Sequence, residues 1–384
     1  MNAVLWLSGP SGVGKSSAGW EICAQLGREG VRTAFVDADQ ISLIHPEPEE
    51  STHRLRARNL ATLWDGFRAE GAECLVLAGF VGTPDEVREY PSVLPDVAFT
   101  VCRLRAPAEE LRRRFLGRGW QPDLVEHALA EAAAQDRTSY ADLTLDTTGL
   151  TVPETARMIR ERTGWPGTTA PGPGRPVRAE PAPVPLLWFT GATAVGKSTV
   201  AYEVFRHVVR SGTRTAYVDL KQIAMLRPAS GDGHRLKARN LAALWAGYRA
   251  AGATYLIVCG EADTDETIRD YLGLLPGVQP TVFRLHASPA TLRERVTERG
   301  RGGGPTIPGD ELRGLDEHAL HEAAARAAAE AASLDRARAG DLRVDTDDRP
   351  APDVAAAVLT HLGLTPENSR TRTGSRPDPV TVSG

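Results

Sequence analysis

One eight-residue pattern occurs twice in this chain of 384 residues. Residues 9–16 read GPSGVGKS, residues 191–198 read GATAVGKS, and both fit G-x-x-x-x-G-K-[ST]. Each copy follows a short apolar segment and precedes an amphipathic one, which predicts a strand, a glycine-rich turn and a helix. Such a turn points successive backbone N–H groups into one concavity at a helix N-terminus, where they bind phosphate. We therefore predict two phosphate-binding loops.

The two loops supply the first candidate site residues. The lysine of each loop is expected to contact the β- and γ-phosphates of a nucleotide, and the serine after it can ligate Mg²⁺. The predicted nucleotide-binding residues are Gly9, Gly12, Gly14, Lys15, Ser16, Ser17, Gly191, Gly196, Lys197, Ser198 and Thr199. ATP and Mg²⁺ are the cofactors that these residues imply. The alternative is a glycine-rich turn with an incidental lysine, and two copies in matching context argue against it.

The similarity between the two copies extends well beyond the loops. Residues 53–61 (HRLRARNLA) match residues 234–242 (HRLKARNLA) at an offset of 181. At Asp146 and Asp345 the offset is 199, so the second copy has gained about 18 residues between these two points. A segment rich in proline and glycine separates the copies and is typical of an extended linker. We predict domains at residues 1–165 and 186–364, a linker at 166–185 and a disordered tail at 365–384.

Apolar and amphipathic segments alternate within each copy. In the first copy we predict strands near 3–8, 33–38, 73–79, 97–104 and 142–147. The uninterrupted apolar run at 74–78 is typical of a strand that is buried on both faces of a sheet. The alternation predicts an α/β fold in which each half forms a five-stranded, mostly parallel sheet flanked by helices. Ligands of such sheets bind beyond the carboxyl ends of the strands, so further site residues should follow strands.

Two aspartates follow the second predicted strand. One of them, Asp37, would help to hold Mg²⁺, and Asp39 would accept a proton from an attacking hydroxyl, so we predict both as catalytic together with Lys15. A solvated turn with a helix cap is the alternative interpretation. The second half has Asp219 and Lys221 at these positions, and a lysine there would repel Mg²⁺. The predicted metal ligands are Ser16, Asp37, Ser198 and Asp219.

A carboxylate at the neighbouring strand end could replace the one that the second half has lost. Glu261 follows the third predicted strand of that half, where the first half has Phe80. We therefore hypothesise that the second half binds nucleotide and either uses a different acceptor or catalyses weakly.

The repeated helix carries guanidinium groups that suit an anionic acceptor or a phosphate. The predicted acceptor-binding residues are Arg54, Arg58, Asn59, Arg235, Arg239 and Asn240. A solvated basic helix face is the alternative. Later in the first half, Arg118 stands before a glycine, and we predict that it swings over the triphosphate and stabilises charge in the transition state. An ordinary surface arginine is the alternative.

Composition excludes several other classes of protein. The net charge of −4 offers no basic surface for nucleic acid or an anionic membrane. No apolar run approaches the roughly 20 residues of a membrane span. The beginning of the sequence has no basic leader, so we expect no signal peptide and a cytoplasmic protein. The four cysteines form no C-x-x-C pair and are expected to be buried thiols.

The order of these features resembles the P-loop small-molecule kinases, and adenylylsulfate kinase most closely. The resemblance rests on the phosphate loop, Asp37-Ala38-Asp39, the segment 56–60 (RARNL) and the glycine turn into the strand at 71–79. It implies two tandem P-loop NTPase domains of the kinase type. It also implies that Asp39 lies nearest the acceptor, that Arg118 belongs to a mobile lid, and that residues 146–149 lie near adenine. Residues 78–82 (AGFVG) depart from the adenylylsulfate kinase pattern, which leaves the acceptor open.

We therefore expect an ATP-dependent phosphotransferase that moves the γ-phosphoryl group to a hydroxyl of a small molecule. The chemistry is expected mainly in the first half. The alternative is a nucleotide-binding regulatory protein whose sites bind ATP and switch conformation with little or no turnover. The substitution at Lys221 favours the regulatory alternative for the second half, whereas Asp39 favours catalysis in the first. The sequence leaves the oligomeric state open.

Overall fold

The computed structural model describes residues 2–117, 122–167, 183–229, 231, 233–262, 264–304 and 307–364. Most of the predicted linker, the predicted tail and Arg118 lie outside the described residues. The boundaries that we predict for the two domains therefore stay predictions.

The described residues of the first half form six strands and six α-helices. The strands are β1 (Asn2–Ser8), β2 (Thr33–Asp37), β3 (Ile44–His45), β4 (Cys74–Ala78), β5 (Val97–Arg105) and β6 (Leu143–Asp146). The helices are α1 (Lys15–Arg28), α2 (Thr52–Ala69), α3 (Pro84–Val93), α4 (Ala108–Leu116), α5 (Val125–Gln135) and α6 (Val152–Thr163).

The second half repeats this order. Its strands are β7 (Val184–Gly191), β8 (Thr215–Asp219), β9 (Met225–Arg227), β10 (Tyr255–Cys259), β11 (Val278–His286) and β12 (Leu342–Asp345). Its helices are α7 (Lys197–Arg210), α8 (His234–Ala250), α9 (Asp265–Gly273), α10 (Pro289–Gly300), α11 (Glu317–Ala337) and α12 (Ala351–His361).

The strands form two sheets with equivalent orders. The first sheet runs β6-β5-β1-β4-β2-β9 and the second runs β12-β11-β7-β10-β8-β3. Five neighbouring strands in each sheet are parallel, which confirms the predicted α/β class and mostly parallel sheets. The strands that precede the phosphate loops, β1 and β7, lie inside their sheets. The loops therefore emerge at the carboxyl edge, where parallel sheets bind ligands.

Each sheet has a sixth strand that the sequence analysis did not predict. Strand β3 of the first half pairs antiparallel with β8, so that Ile44 lies opposite Ala216. Strand β9 of the second half pairs antiparallel with β2, so that Leu226 lies opposite Ala34. The two halves thus exchange edge strands. These segments have two and three residues, too few for an alternation of apolar and polar side chains to become visible in the sequence.

One buried apolar cluster spans both halves. It contains Trp6 and Trp64 from the first half and Trp188 and Trp245 from the second, and all four are at most 1% exposed. Helices α2 and α8 pack directly against each other in this region. The two halves therefore share a hydrophobic core in addition to the exchanged strands.

Paired glycines and asparagines bring α2 and α8 close together. A Cβ atom on Gly66 would overlap Asn240 Oδ1, and one on Gly247 would overlap Asn59 Oδ1. Both asparagines are fully buried. The amide of Asn59 donates to Ile41 O at 2.7 Å, and the amide of Asn240 donates to Ile223 O at 2.6 Å. Each asparagine thus supports the turn that leads into an exchanged strand.

Candidate nucleotide and acceptor sites

The two phosphate loops have the same backbone geometry. Gly9 has φ +141°, and a Cβ atom there would overlap Leu104 O, so only glycine fits at the start of the loop. The first loop ends at Gly14, which has φ +103° and is the N-cap residue of α1. Gly191 and Gly196 repeat these conformations, with φ +145° and +103°. The predicted strand, loop and helix are thus present twice, which positions backbone N–H groups for phosphate.

Both loop lysines fold back over their own loops. The Lys15 ammonium donates to Gly9 O at 2.9 Å and to Pro10 O at 3.1 Å. Lys197 donates to Gly191 O at 2.8 Å and to Ala192 O at 3.0 Å. Burial lowers the pKa of Lys197, and the nearby carboxylates Glu261 and Glu330 oppose that effect. Each ammonium thus lies over the concavity in which a phosphate would bind.

The predicted metal ligands lie together in both halves. Ser16 Oγ donates to Asp37 Oδ2 at 3.0 Å, and Ser198 Oγ donates to Asp219 Oδ2 at 2.9 Å. A hydroxyl and a carboxylate oxygen at this separation fit two positions of an octahedral Mg²⁺ shell, whose other ligands are usually water and substrate phosphate. Burial, together with the neighbouring Asp39 carboxylate, raises the pKa of Asp37 to about 6. A divalent cation would relieve this crowding of negative charge, so the donors of the first half fit Mg²⁺.

Asp39 is held by a cation that we did not predict as a site residue. Arg56, on α2, forms an ion pair with Asp39 Oδ1 and donates from Nε to Ser42 Oγ at 3.0 Å. The side chains of Asp39 and Arg56 are 11% and 13% exposed, so water screens the pair weakly. The Asp39 backbone N–H also donates to Asp37 Oδ1 at 3.0 Å. These contacts fix the orientation of the carboxylate that we predict to face the acceptor.

A cavity opens beside this pair, and we call it the Asp39 cavity. Its walls are formed by Asp39, residues 42–45, Glu47, Pro48, Thr52, Leu55 and Arg56. It therefore lies between the end of β2, strand β3 and the first turns of α2. One wall is the segment that leaves the first half to pair with β8.

The second half rearranges its charges at the equivalent position. Lys221 is exposed, and Lys237, which aligns with Arg56, contacts Glu261 Oε2 at 3.4 Å. Although burial opposes it, the charges of Lys237 and Lys197 lower the pKa of Glu261. This geometry supports our hypothesis that a carboxylate after β10 replaces the one lost after β8.

The structure places the six predicted acceptor-binding residues in two different environments. Asn59 and Asn240 lie in the interface between α2 and α8. The four arginines lie at or near the surface, where Arg58 pairs with Glu50, and Arg235 and Arg239 lie 3.9 and 3.4 Å from Glu70 Oε1. The side chain of Arg54 is exposed. None of the six is among the residues that line the Asp39 cavity, and their acceptor role stays a prediction.

In each half, a glutamate side chain accepts a hydrogen bond from the phosphate loop. The sequence analysis did not predict these two glutamates. Glu131 Oε2 accepts from the backbone N–H of Ser11 at 3.2 Å, and Glu330 Oε2 accepts from that of Thr193 at 2.8 Å. The two glutamates are 199 positions apart, the offset of the last part of the repeat. That shared position on α5 and α11 was the signal that could have revealed them.

An arginine in each half ties the phosphate loop to the loop after the last strand. Arg114 donates from Nη1 to Thr147 Oγ1 at 2.8 Å and from Nη2 to Thr147 O at 2.8 Å. Arg295 makes the equivalent bonds to Thr346 at 2.9 and 2.7 Å, and Nη1 also donates to Val195 O at 3.0 Å. Arg299, the counterpart of Arg118, pairs with Asp310 at 2.8 Å.

Further features of the described residues bear on the class of protein. All four cysteines are free thiols, and all four are buried, as we predicted. None of the described helices is long and apolar enough to cross a membrane. In the same part of the chain, no group of three or more His, Cys, Asp or Glu side chains is placed to hold a metal ion.

No family model matches the sequence, and neither does any curated protein. Solved structures are similar to parts of the chain. The tunicamycin resistance protein of Deinococcus radiodurans is 20% identical, with a TM-score of 0.33, over 47% of this chain and 97% of its own. The APS kinase of Mycobacterium tuberculosis, solved with AMPPNP and APS, is 18% identical, with a TM-score of 0.31, over 42% of this chain and 98% of its own. The shikimate kinase of Aquifex aeolicus is 16% identical, with a TM-score of 0.27, over 49% of this chain and 99% of its own.

Proposed function

We propose that the chain is an ATP-dependent phosphotransferase that phosphorylates a hydroxyl of a small molecule in its first half. The observation that carries this proposal is the buried Asp39–Arg56 pair beside a cavity, next to a phosphate loop whose Ser16 contacts Asp37. A phosphate loop alone supports nucleotide binding. A carboxylate held between that loop and a cavity also supports transfer to an acceptor.

Each group has one role in the proposed reaction. Lys15 and the loop N–H groups hold the β- and γ-phosphates, and Asp39 accepts the proton of the acceptor hydroxyl. The acceptor oxygen then forms a bond to the γ-phosphorus while the bond from that phosphorus to the β–γ bridging oxygen breaks, which releases ADP. Arg56 acts through Asp39 as a positioning residue, because it fixes the direction in which the carboxylate points.

Ser16 and Asp37 would hold Mg²⁺ in this site. When bound, the ion would neutralise charge on the β- and γ-phosphates. Replacing Ser16 with Ala should weaken binding of AMPPNP in the presence of Mg²⁺ more than in the presence of EDTA, which a calorimetric titration would measure.

The walls of the Asp39 cavity favour an acceptor that is not an anion. Its described lining carries two carboxylates, Asp39 and Glu47, against one guanidinium, Arg56. Burial lowers the pKa of His45, which favours the neutral form of this imidazole. Leu43, Ile44 and Leu55 add apolar surface. We therefore propose a neutral or cationic hydroxyl compound with an apolar portion.

A second candidate function, regulation by nucleotide, is favoured for the second half. Its loop repeats the geometry of the first, but Lys221 stands where the first half has Asp39. We propose that the second half binds ATP with little transfer to an acceptor.

The test is a measurement of ADP formation against a panel of neutral, cationic and anionic alcohols. The wild-type chain should be stimulated by a neutral or cationic alcohol, Lys15→Ala should abolish this stimulation, and Lys197→Ala should retain it at saturating acceptor. If turnover survived Lys15→Ala and not Lys197→Ala, the active half would be the second. If no alcohol stimulated any variant while AMPPNP still bound tightly, the regulatory function would hold for both halves.

A further inference from the structure

The second half of the chain holds one wall of the Asp39 cavity in place. Leu43 O accepts a hydrogen bond from the Tyr217 N–H at 2.9 Å, and the next residue, Ile44, pairs with Ala216 in the β3–β8 ladder. Arg214 donates from Nε to Pro46 O at 3.2 Å and from Nη2 to Glu47 O at 3.3 Å. The edge of the second sheet therefore sets where residues 43–47 lie.

The elements that hold this wall also carry the second phosphate loop. The hydroxyl of Tyr217 donates to Ser198 O at 3.3 Å and lies 3.1 Å from Cys259 Sγ. Leu43 is buried in the same apolar cluster as Val200 of α7, the helix that begins at Lys197. One residue, Tyr217, thus contacts the cavity wall through its backbone and the second loop through its side chain.

The side-chain part of this connection, from the strand to the second loop, has no counterpart in the first half. The residue of the first half that aligns with Tyr217 is Phe35, which has no hydroxyl, and the one that aligns with Cys259 is Ala78. The hydroxyl and thiol groups beneath Ser198 are therefore additions specific to the half that lacks the catalytic aspartate.

Nucleotide binding would change the contacts of the second loop. The Lys197 ammonium donates to Gly191 O and Ala192 O, and the Thr193 N–H donates to Glu330. Phosphate would take over both donors, since these are the groups that bind phosphate in such loops. The loops with and without nucleotide therefore make different contacts, which is what a ligand needs in order to shift a conformational equilibrium.

We propose that nucleotide binding at the second loop controls the position of the Asp39 cavity wall, so that the second half regulates acceptor binding in the first. The inference rests on the proposed function for the identity of the cavity as the acceptor site. Lys221 favours ATP binding without phosphoryl transfer at the second loop. A nucleotide that is not consumed there would stay bound and would hold the cavity wall in one position over many reaction cycles of the first site.

Hydrogen exchange of the full chain tests this coupling without an acceptor. In the Lys15→Ala chain, AMPPNP with Mg²⁺ should bind at the second loop and slow amide exchange in residues 42–47 by about fivefold or more, the range of ordinary allosteric coupling. Calorimetric titration establishes that the second loop is occupied. The proposal is overturned if AMPPNP binds this variant and exchange in residues 42–47 does not change, or if the variant binds no AMPPNP.

Two further variants separate coupling from general stability. Tyr217→Phe should still bind AMPPNP at the second loop but should lose most of the protection of residues 42–47. Arg214→Ala should raise the exchange rate of these residues, whereas its matched control Arg32→Ala should not. Arg32 is the equivalent residue of the first half and donates to Glu70 O within that half. Equal effects of the two arginine variants would contradict the proposed role of Arg214. The exchange readout is independent of phosphoryl transfer, so failure of the coupling and failure of the kinase proposal give different results.

Discussion

At the scale of single residues, the Asp39–Arg56 pair distinguishes the first site from the second. The aspartate could be predicted because it follows a strand at a fixed distance from a phosphate loop. Arg56 was not predicted as a site residue, because three arginines lie at alternate positions in residues 54–58 and the sequence does not show which of them faces the strand ends. Its aligned residue, Lys237, pairs instead with Glu261.

Replacing Arg56 with Met should reduce kcat with little effect on nucleotide binding. The carboxylate of Asp39 would lose the partner that orients it but would still be present. We therefore expect kcat to fall by about 10- to 100-fold, less than the roughly 10²- to 10⁴-fold that a general base contributes. Steady-state kinetics and AMPPNP titration measure the two quantities separately. The matched control is Arg88→Met, which removes an exposed ion pair with Asp85. If AMPPNP affinity and kcat both fell, Arg56 would support the fold of the site and would not act through Asp39.

His53 should make the stability of the chain depend on pH. Burial and the charge of Arg56 lower its pKa to about 4, while Glu86 opposes this effect. The unfolded chain therefore binds more protons than the folded chain between about pH 4 and 6.5, so His53 reduces stability as the pH falls through this range. Between pH 7 and pH 4.5, the free energy of unfolding should fall in both chains. We expect the fall to be on the order of 2 kcal/mol smaller in the His53→Gln chain than in wild type.

Denaturant unfolding at the two pH values measures the difference. The control is His127→Gln, since the His127 side chain is 57% exposed. If wild type and His53→Gln lost equal stability on acidification, the buried His53 would not titrate as described.

At the scale of elements, the interface between α2 and α8 depends on two glycines that lie against asparagines. Gly247→Ala should lower the free energy of unfolding by about 1–3 kcal/mol, since its Cβ would overlap the buried Asn59 Oδ1. The control is Gly273→Ala at the end of α9, where no atom lies within 4 Å of an added Cβ. Chemical denaturation of both variants checks the prediction, and an equal, small effect would contradict the close approach of the two helices.

The strands of the first sheet could be predicted well because each obeys a local rule. The strands predicted near 3–8, 33–38 and 73–79 correspond to β1, β2 and β4 within one residue at each end. Their continuous apolar side chains are buried on both faces, a pattern that is visible in a short window. The exchanged strands β3 and β9 have no such pattern, since their pairing depends on a partner about 170 to 190 residues away in the sequence.

At the scale of the whole molecule, the two halves form one structure that shares strands and a core. The duplication was evident from the sequence, but the contact between the copies was not, since the residues that form it also fit an ordinary helix with a packed face. Asn59 and Asn240 illustrate this point. Their repetition suggested a ligand role, which stays a prediction. The structure shows that both also support the turns before the exchanged strands.

A fragment of residues 1–167 should not form a stable monomer. It would lack β9 at the edge of its sheet and would expose the apolar surface that α8 covers in the full chain. Thermal unfolding followed by circular dichroism should show no cooperative transition for this fragment alone. Coexpression with residues 183–384 should restore a cooperative transition and a one-to-one complex. A cooperative transition of the isolated fragment would contradict the shared core.

We propose that one chain holds two nucleotide sites, of which the first carries the catalytic carboxylate. The most direct test compares single-turnover phosphoryl transfer in Asp39→Asn and Glu261→Gln chains, with the acceptor that the panel of alcohols identifies. We predict that Asp39→Asn slows transfer by at least about 100-fold, as expected for the loss of a general base, while AMPPNP binding is retained. Glu261→Gln should leave the rate nearly unchanged. Transfer that is fast in Asp39→Asn and slow in Glu261→Gln would contradict the account and would place the chemistry in the second half.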